Sequence, residues 1–565
     1  MYKQLRKHII AMLPVLALLI MLPGCGGLGK MEKTLEELNV QVSPDHLVLR
    51  GSEVEITITG TFPAKYFHKK AILEVTPVLV WEGGETAFRT QGFQGEDAAG
   101  NHDVISFAMG KRFNYTASVD FQDAMEDVAH LELRIKGTLG KKSVDFEAVE
   151  LGHGVITTQN WLLSDDRFIL AEDAFQRVVK HTQEAEINYS YNSSSVQRTE
   201  FRDDDIVELA EFLAFAAAHD SVVLNGTMVS AYASPEGEMS LNSELAVERA
   251  ESANRAVARL LRKTGIDVEN AESFYGNDPK GEDWSGFQNL MNASDIADKA
   301  LILRVLSMYT DDTRREEEIR NIAKTYKVIE DDILPQLRRS QITVNYQIEG
   351  YTDAELLAIC QNDAKALTIE ELLYGATLME GAEAKLAVYQ VGASVHAGDW
   401  RAANNAGVCL MELGRMNQAA EQFEAARSLK ADAAVMNNLG AIARMRGDLD
   451  GAQSLLSAAT AAGSDVQYNK ALVQVQQGNY SGAVSNMSGA NTANAALAKL
   501  LNGDANGAKA TMDNCDDASA VATYIRAIIA AHLGQDAEAD SLRDAAVEKD
   551  ASLAAKAKAD LEFAD

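Results

Sequence analysis

The sequence predicts a multidomain chain with an N-terminal β-sandwich, a central α/β domain and a C-terminal α-helical solenoid. Three observations carry that division. From Val40 the residues alternate apolar and polar with period two. From about Glu184 the pattern runs strand, helix, strand, helix. From Thr368 glycines recur at a near-constant interval in an Ala-rich background. A length of 565 residues suits three or four domains of roughly 150 residues each. The composition, 47% hydrophobic and 24% charged, is that of packed domains and excludes wholesale disorder. Only 8 prolines against 39 glycines argue against a collagen-like or Pro-rich stalk. The net charge is −31, from 83 acids and 52 bases, with no dense basic patch. Such a chain repels phosphate backbones, so nucleic acid is not expected as a partner.

The first residues depart from that acidity. Lys3, Arg6 and Lys7 precede an uncharged apolar run from Ile9 to Leu22. This is the pattern of a basic region and a hydrophobic region too short to span a bilayer comfortably. The run closes as Leu22-Pro23-Gly24-Cys25, which resembles the lipobox of bacterial lipoproteins, including those of Bacteroidota, with Pro23 an unusual occupant. The resemblance implies a signal peptide over 1–24, lipidation of Cys25, and an anchor and tether over 25–38. Acyl chains hold a protein on a membrane because each buried methylene contributes about 0.8 kcal/mol. Gly26 follows, with neither an inner-membrane Asp nor an acidic surface-export cluster. A lipid-anchored, periplasm-facing place on the outer membrane is therefore expected. Cys360, Cys409 and Cys515 are widely spaced and form no CxxC pair. They read as small buried apolar residues, and no disulfide framework or metal site is indicated.

The β-sandwich is expected over 39–160. Val54, Ile56 and Ile58 alternate with Glu55, Thr57 and Thr59, one set facing inward and the other outward. Similar segments recur at Ile72–Trp81 and His130–Lys136, separated by Gly-rich or acidic turns. Short strands at this spacing predict antiparallel sheets. No catalytic signature lies among them, and a spacer or interaction module is the reading.

In the central domain, Ile187, Tyr189 and Tyr191 alternate as a strand. Asp203–Asp205 supplies the acidic start of a helix carrying Ile206, Leu209, Ala210 and Leu213 on one face. Val222–Tyr232 returns to strand character, Asn242–Lys263 forms a long amphipathic helix closed by Gly265, and Gln341–Ile348 offers a last strand. The stretch SAYASPEGEMSLNSELAVERA, residues 230–250, resembles the peptidoglycan-associating signature of the OmpA-like domain family. Gly237, Asn242, Leu245, Arg249 and Ala250 fall on its motif positions, while Ala246 stands where the family has serine. Leu337-Arg338-Arg339-Ser340 is similar to the family's close. The resemblance covers 184–350 and implies recognition of a diaminopimelate-containing stem peptide. A loop aspartate takes the ammonium there, and the helix arginine takes the carboxylate through its guanidinium fork. Ser234 occupies the aspartate position, and Glu236, two residues on, is either the substitute anion or a solvated loop acid. Arg249, Asn242, Ser234, Glu236 and Arg339 are therefore the candidate peptidoglycan-binding residues. A helical insertion over 276–336 departs from the family, with Trp284 and Phe287 candidates either for covering the site or for local core.

After a linker over 351–367, residues 368–565 carry the repeats. A glycine is followed five residues later by a small or apolar residue at Gly381, Gly414, Gly447, Gly478, Gly503 and Gly534. The intervals are 33, 33, 31, 25 and 31 residues. They resemble the tetratricopeptide motif, in which the glycine turns between paired helices. Gly407 and Gly440 take the earlier small position, and Phe423, Leu456 and Met487 the later large one. The short interval predicts trimmed helices. Such solenoids present a concave face to peptide segments or partner proteins.

No HExxH, GxSxG or phosphate-loop pattern occurs, and the 10 histidines show no ligand spacing. The expectation is a non-enzymatic outer-membrane lipoprotein scaffold without cofactors or metals. It would hold peptidoglycan through the central domain and an unidentified protein through the repeats. The alternative is a protein-interaction subunit of an outer-membrane assembly, secretion or fimbrial complex whose central domain no longer binds peptidoglycan.

Overall fold

The computed structural model describes residues 27–126 and 129–564; the expected signal segment and Cys25 lie outside them. The chain forms two compact units. One joins the described residues up to Ala171 to those from His396 onward, and the other spans Glu172–Val395. The strand-rich region and most of the repeats, which the sequence divides into separate modules, thus share one unit.

In that first unit the alternation of Val54, Ile56 and Ile58 builds strand Glu53–Phe62 with those three side chains and Phe62 buried and Glu53 and Glu55 exposed. It lies between Gln41–Arg50 and Lys111–Asp120, and Val155–Ile156 completes this sheet. A second sheet runs Val149–His153, His130–Leu139, Ala71–Trp81, Gln91–Gly95 and Asp103–Ile105. Gly84–Ala87 and Lys142–Asp145 pair onto it as hairpin partners. The two sheets share one apolar core, in which Phe62 meets the rings of Phe67, Phe93 and Phe113 at 5.0 to 5.2 Å. The expectation of purely antiparallel pairing is corrected at two places: Leu47 pairs with Val155, and Phe93 with Asp103, in parallel. Gly154, at φ +69°, is the corner where the chain leaves the second sheet for the first. Side-chain alternation specifies faces but not strand direction.

From Trp400 the chain folds as consecutive helix pairs: Trp400–Glu412 with Met416–Leu429, then Ala433–Met445 with Leu449–Ala458. Ser464–Gln476 pairs with Tyr480–Asn486, Ala493–Leu501 with Ala505–Met512, and Ala520–His532 with Asp536–Lys549. The periodic glycines turn each pair, with Gly414, Gly447, Gly478, Gly503 and Gly534 all at positive φ. Close approach explains the other small position: a Cβ on Gly407 would sit 2.5 Å from Phe423, and one on Gly440 2.7 Å from Leu456. The 25-residue interval from Gly478 to Gly503 coincides with two shortened helices, of 7 and 9 residues. The strand-rich region docks on this array through Gln159. Its side-chain amide donates to Gly51 O, while its oxygen accepts from Gly51 N–H and the Tyr480 hydroxyl.

The second unit holds a four-stranded sheet in the order Val178–Asn188, Arg339–Glu349, Val222–Ala233, Tyr275–Glu282. Helices Asp204–Ala218 and Met239–Thr264 bury Ile206, Leu209, Leu213, Ala253 and Val257 against it. Three boundaries differ from the sequence reading. The first strand starts at Val178, six residues before the expected domain start at 184. The expected helical insertion 276–336 opens with a strand, because Tyr275–Glu282 pairs in parallel with Val222–Ala233. Pro279 and Gly281 disguise that strand as a loop; proline is tolerated there because the strand lies at the sheet edge. The expected linker 351–367 contains helix Asp353–Asp363, started by a Thr352/Glu355 capping box. Helices Ile369–Thr377 and Ala382–Val395 also belong to this unit.

Candidate binding sites

The loop after strand Val222–Ala233 and the first turns of helix Met239–Thr264 gather the residues singled out in the central domain. Arg249 is only 1% exposed. Its guanidinium donates to Tyr232 O at 2.7 Å and Ser193 O at 3.0 Å, and it lies 5.1 Å from the centre of the Tyr189 ring. Burial pulls its pKa down to about 10. The Ser234 hydroxyl donates to Glu236 at 2.7 Å, and Glu236 forms a buried ion pair with Arg338, also at 2.7 Å. Asn242 donates to Glu236 O and to the Glu282 carboxylate. Arg339 pairs with Asp283 at 2.8 Å and lies over the Tyr232 ring.

The candidates are therefore brought together, but each charged one already has a partner from outside the set. Glu236, the substitute anion, is matched by Arg338. Arg249 holds two backbone carbonyls, which fix the loop and strand against the helix. Glu316 accepts from Gly237 N–H at 2.7 Å, so helix Asp312–Arg320 of the insertion lies over the loop. Of the two aromatics, Phe287 is core of the insertion itself, and Trp284 donates to Glu282. The sequence reading missed Arg338, Glu282 and Asp283 as partners. Which of two adjacent arginines meets Glu236 depends on strand register, which a dipeptide does not reveal.

A second site lies wholly within the first unit. Residues 162–171 run extended along the helix pairs, antiparallel to the repeat order, and a ladder of asparagines holds their backbone. Asn405 accepts from Ala171 N–H and donates to Ala171 O at 2.7 and 3.0 Å. Asn438 does the same with Ile169, Asn469 with Arg167, and Asn494 with Leu163. Asn404 and Asn437 add donors to Ile169 O and Arg167 O, and neighbouring rungs are joined by Asn438 to Asn404 and Asn469 to Asn437. Two-point amide contacts read the main chain and leave side chains to choose the sequence.

Side chains supply that choice. Arg444 forms an ion pair with Asp166 in which both side chains are buried. Asp165 accepts from Tyr468 and from Asn494, and burial raises its pKa above the usual carboxylate value. The Arg167 guanidinium lies 4.0 Å from the centre of the Tyr468 ring, Phe168 stacks on Phe423, and Trp161 lies 4.1 Å from Tyr524. The signal for this ladder was present in the sequence. Asn405, Asn438, Asn469 and Asn494 recur at 33, 31 and 25 residues, the same intervals as the glycines.

No family model matches the chain, and no curated protein matches it. Among solved structures it is similar to a tetratricopeptide repeat protein from Parabacteroides merdae ATCC 43184. That match has 14% identity over 38% of this chain and 91% of the other, with a TM-score of 0.29. It is also similar to the APC/C hetero-tetramer Cut9-Hcn1, at 12% identity over 56% and 74%, with a TM-score of 0.31. The C-terminal helical region resembles a tetratricopeptide solenoid. The helix pairs, their glycine turns and the small-to-large contacts described above carry that resemblance.

Proposed function

We propose that the chain is a non-enzymatic scaffold of the bacterial envelope, held on the periplasmic face of the outer membrane by acyl chains on Cys25 and working through protein contacts. The lipobox-like run before Cys25 supports the anchor. The asparagine ladder is the observation that carries the rest: it is a surface built to hold an extended peptide by its backbone, and it holds one supplied by its own chain. In this reading the repeats clamp residues 162–171 and can take a similar extended segment from a partner.

The central domain follows the OmpA-like order of elements in this proposal and serves as a protein-facing module. A grip on a zwitterionic stem peptide needs an accessible anion and cation. The pairing of Glu236 with Arg338 and the burial of Arg249 favour a domain that keeps the fold without that grip. Co-sedimentation of residues 26–565 with purified sacculi tests this point. We expect no sedimentation that depends on Arg249, and its loss in Arg249→Ala would restore the peptidoglycan reading.

The groove is tested with a labelled synthetic peptide of residues 160–173 and the full chain. In Phe168→Ala/Ile169→Ala, which weakens the internal segment, peptide affinity by fluorescence anisotropy should rise at least tenfold. Adding Asn438→Ala should abolish the gain. No binding in either variant, with the internal segment still protected from protease, would make the groove a fixed internal splice.

A further inference from the structure

The strand-rich region contains a cavity that neither the groove nor the central domain uses. It lies between the two sheets, has a volume of about 970 Å³, and is walled by Ile58, Phe62, Leu73, Phe93, Leu133 and Ile135. Protein interiors are close-packed, with few voids larger than a water molecule, and an empty apolar cavity destabilises in proportion to its volume. Voids of this size and apolar lining are the normal setting of small-molecule sites.

Beside the apolar wall, Gln91 and Tyr115 line the interior. The hydroxyl of Tyr115, which also lines the cavity, is committed to Arg89 O. The charge sits at the mouth, where the end of helix Leu28–Lys33 and the residues after it face residues 147–151. Glu32, Glu36, Glu147 and Glu150 lie there, with Lys33 the one lysine or arginine among the lining residues; Glu150 also lies 3.2 Å from His153 Nδ1. The Glu147 N–H donates to Glu32 Oε1 at 3.3 Å, so one hydrogen bond joins the two lips. A carboxylate or phosphate head at this rim would meet an excess of like charge, whereas an ammonium would be attracted.

We propose that this cavity binds a single-chain amphiphile with a cationic amine head, its hydrocarbon tail between the sheets and its ammonium among the rim carboxylates. The inference is independent of the groove and of the membrane anchor.

Displacement of N-phenyl-1-naphthylamine fluorescence from the full chain, at low salt and below micellar concentrations, tests it. The competitors are dodecylamine, dodecanol and dodecanoate. Dodecylamine should displace the dye at the lowest concentration and dodecanoate at the highest. In a series of shorter amines, affinity should rise roughly fourfold per methylene. Glu36→Lys/Glu147→Lys changes two exposed rim residues. It should weaken dodecylamine at least tenfold and strengthen dodecanoate, while leaving dodecanol unchanged. Leu133→Trp, which places an indole in the cavity wall, should weaken dye binding. Failure of the dye to bind the wild-type chain, equal displacement by amine and carboxylate, or indifference to the rim reversal would overturn the proposal. Unchanged dye affinity in a folded Leu133→Trp chain would do so as well.

Discussion

Arg444 and Asp166 show how much one pair of residues decides in this molecule. Their side chains are 3% and 1% exposed, and the Arg444 Nε donates to Asp166 Oδ1 at 2.6 Å. Removing one member of a buried pair strands the other charge, which typically costs about 3–5 kcal/mol. Arg444→Met should therefore lower stability by that amount in urea denaturation. Arg444→Met/Asp166→Leu should recover most of the loss, because two apolar side chains leave no buried charge unpaired. A second residue-scale effect is set by pH. The His532 imidazole donates to Glu562 at 2.7 Å, and that hydrogen bond raises its pKa above the usual value. A raised folded-state pKa means that the protonated form favours folding. The stabilisation is fully present below the usual imidazole value and is lost as pH rises through the raised one. Thermal melts across that window should show this slope, and His532→Gln should flatten it.

At the scale of elements, the helix pairs depend on close approach and the groove on the asparagine rungs. The missing side chain of Gly440 leaves room for Leu456, so Gly440→Val overpacks the pair and should cost about 1–3 kcal/mol, read as a lower melting temperature. Asn438 makes two hydrogen bonds to Ile169 and one to Asn404. Asn438→Ala leaves buried main-chain groups unsatisfied, a loss of about 1–3 kcal/mol. Protease should then cut within 162–171 at lower denaturant than in the wild type. The glycine turns were legible because positive φ selects glycine almost regardless of context. The ladder was written at the same intervals, yet buried asparagine has no local structural meaning until an extended segment lies beside it. The central-domain candidates were legible as a cluster. Arg338 was not, because strand register chooses between it and Arg339.

For the whole molecule, the division into units predicts how fragments behave. Glu172–Val395 is compact by itself, so this fragment should give a single cooperative unfolding transition. The strand-rich region is joined to the repeats through Gln159, Arg50 and Lys556. A fragment of residues 27–160 loses those partners and should melt well below the full chain by calorimetry. An unchanged melting temperature would mean that the region is self-sufficient.

The sequence by itself determined the order of a strand-rich region, an α/β region and a helical repeat, because periodicity and glycine spacing are local properties of the chain. It also located the turns of the repeats and the candidate cluster around Arg249. Tertiary structure alone decided that residues 162–171 fill the groove, that Arg338 neutralises Glu236, and that 276–282 extends a sheet. Each of these joins positions that are distant in sequence or depends on strand register, and short-range periodicity carries no information about such pairings.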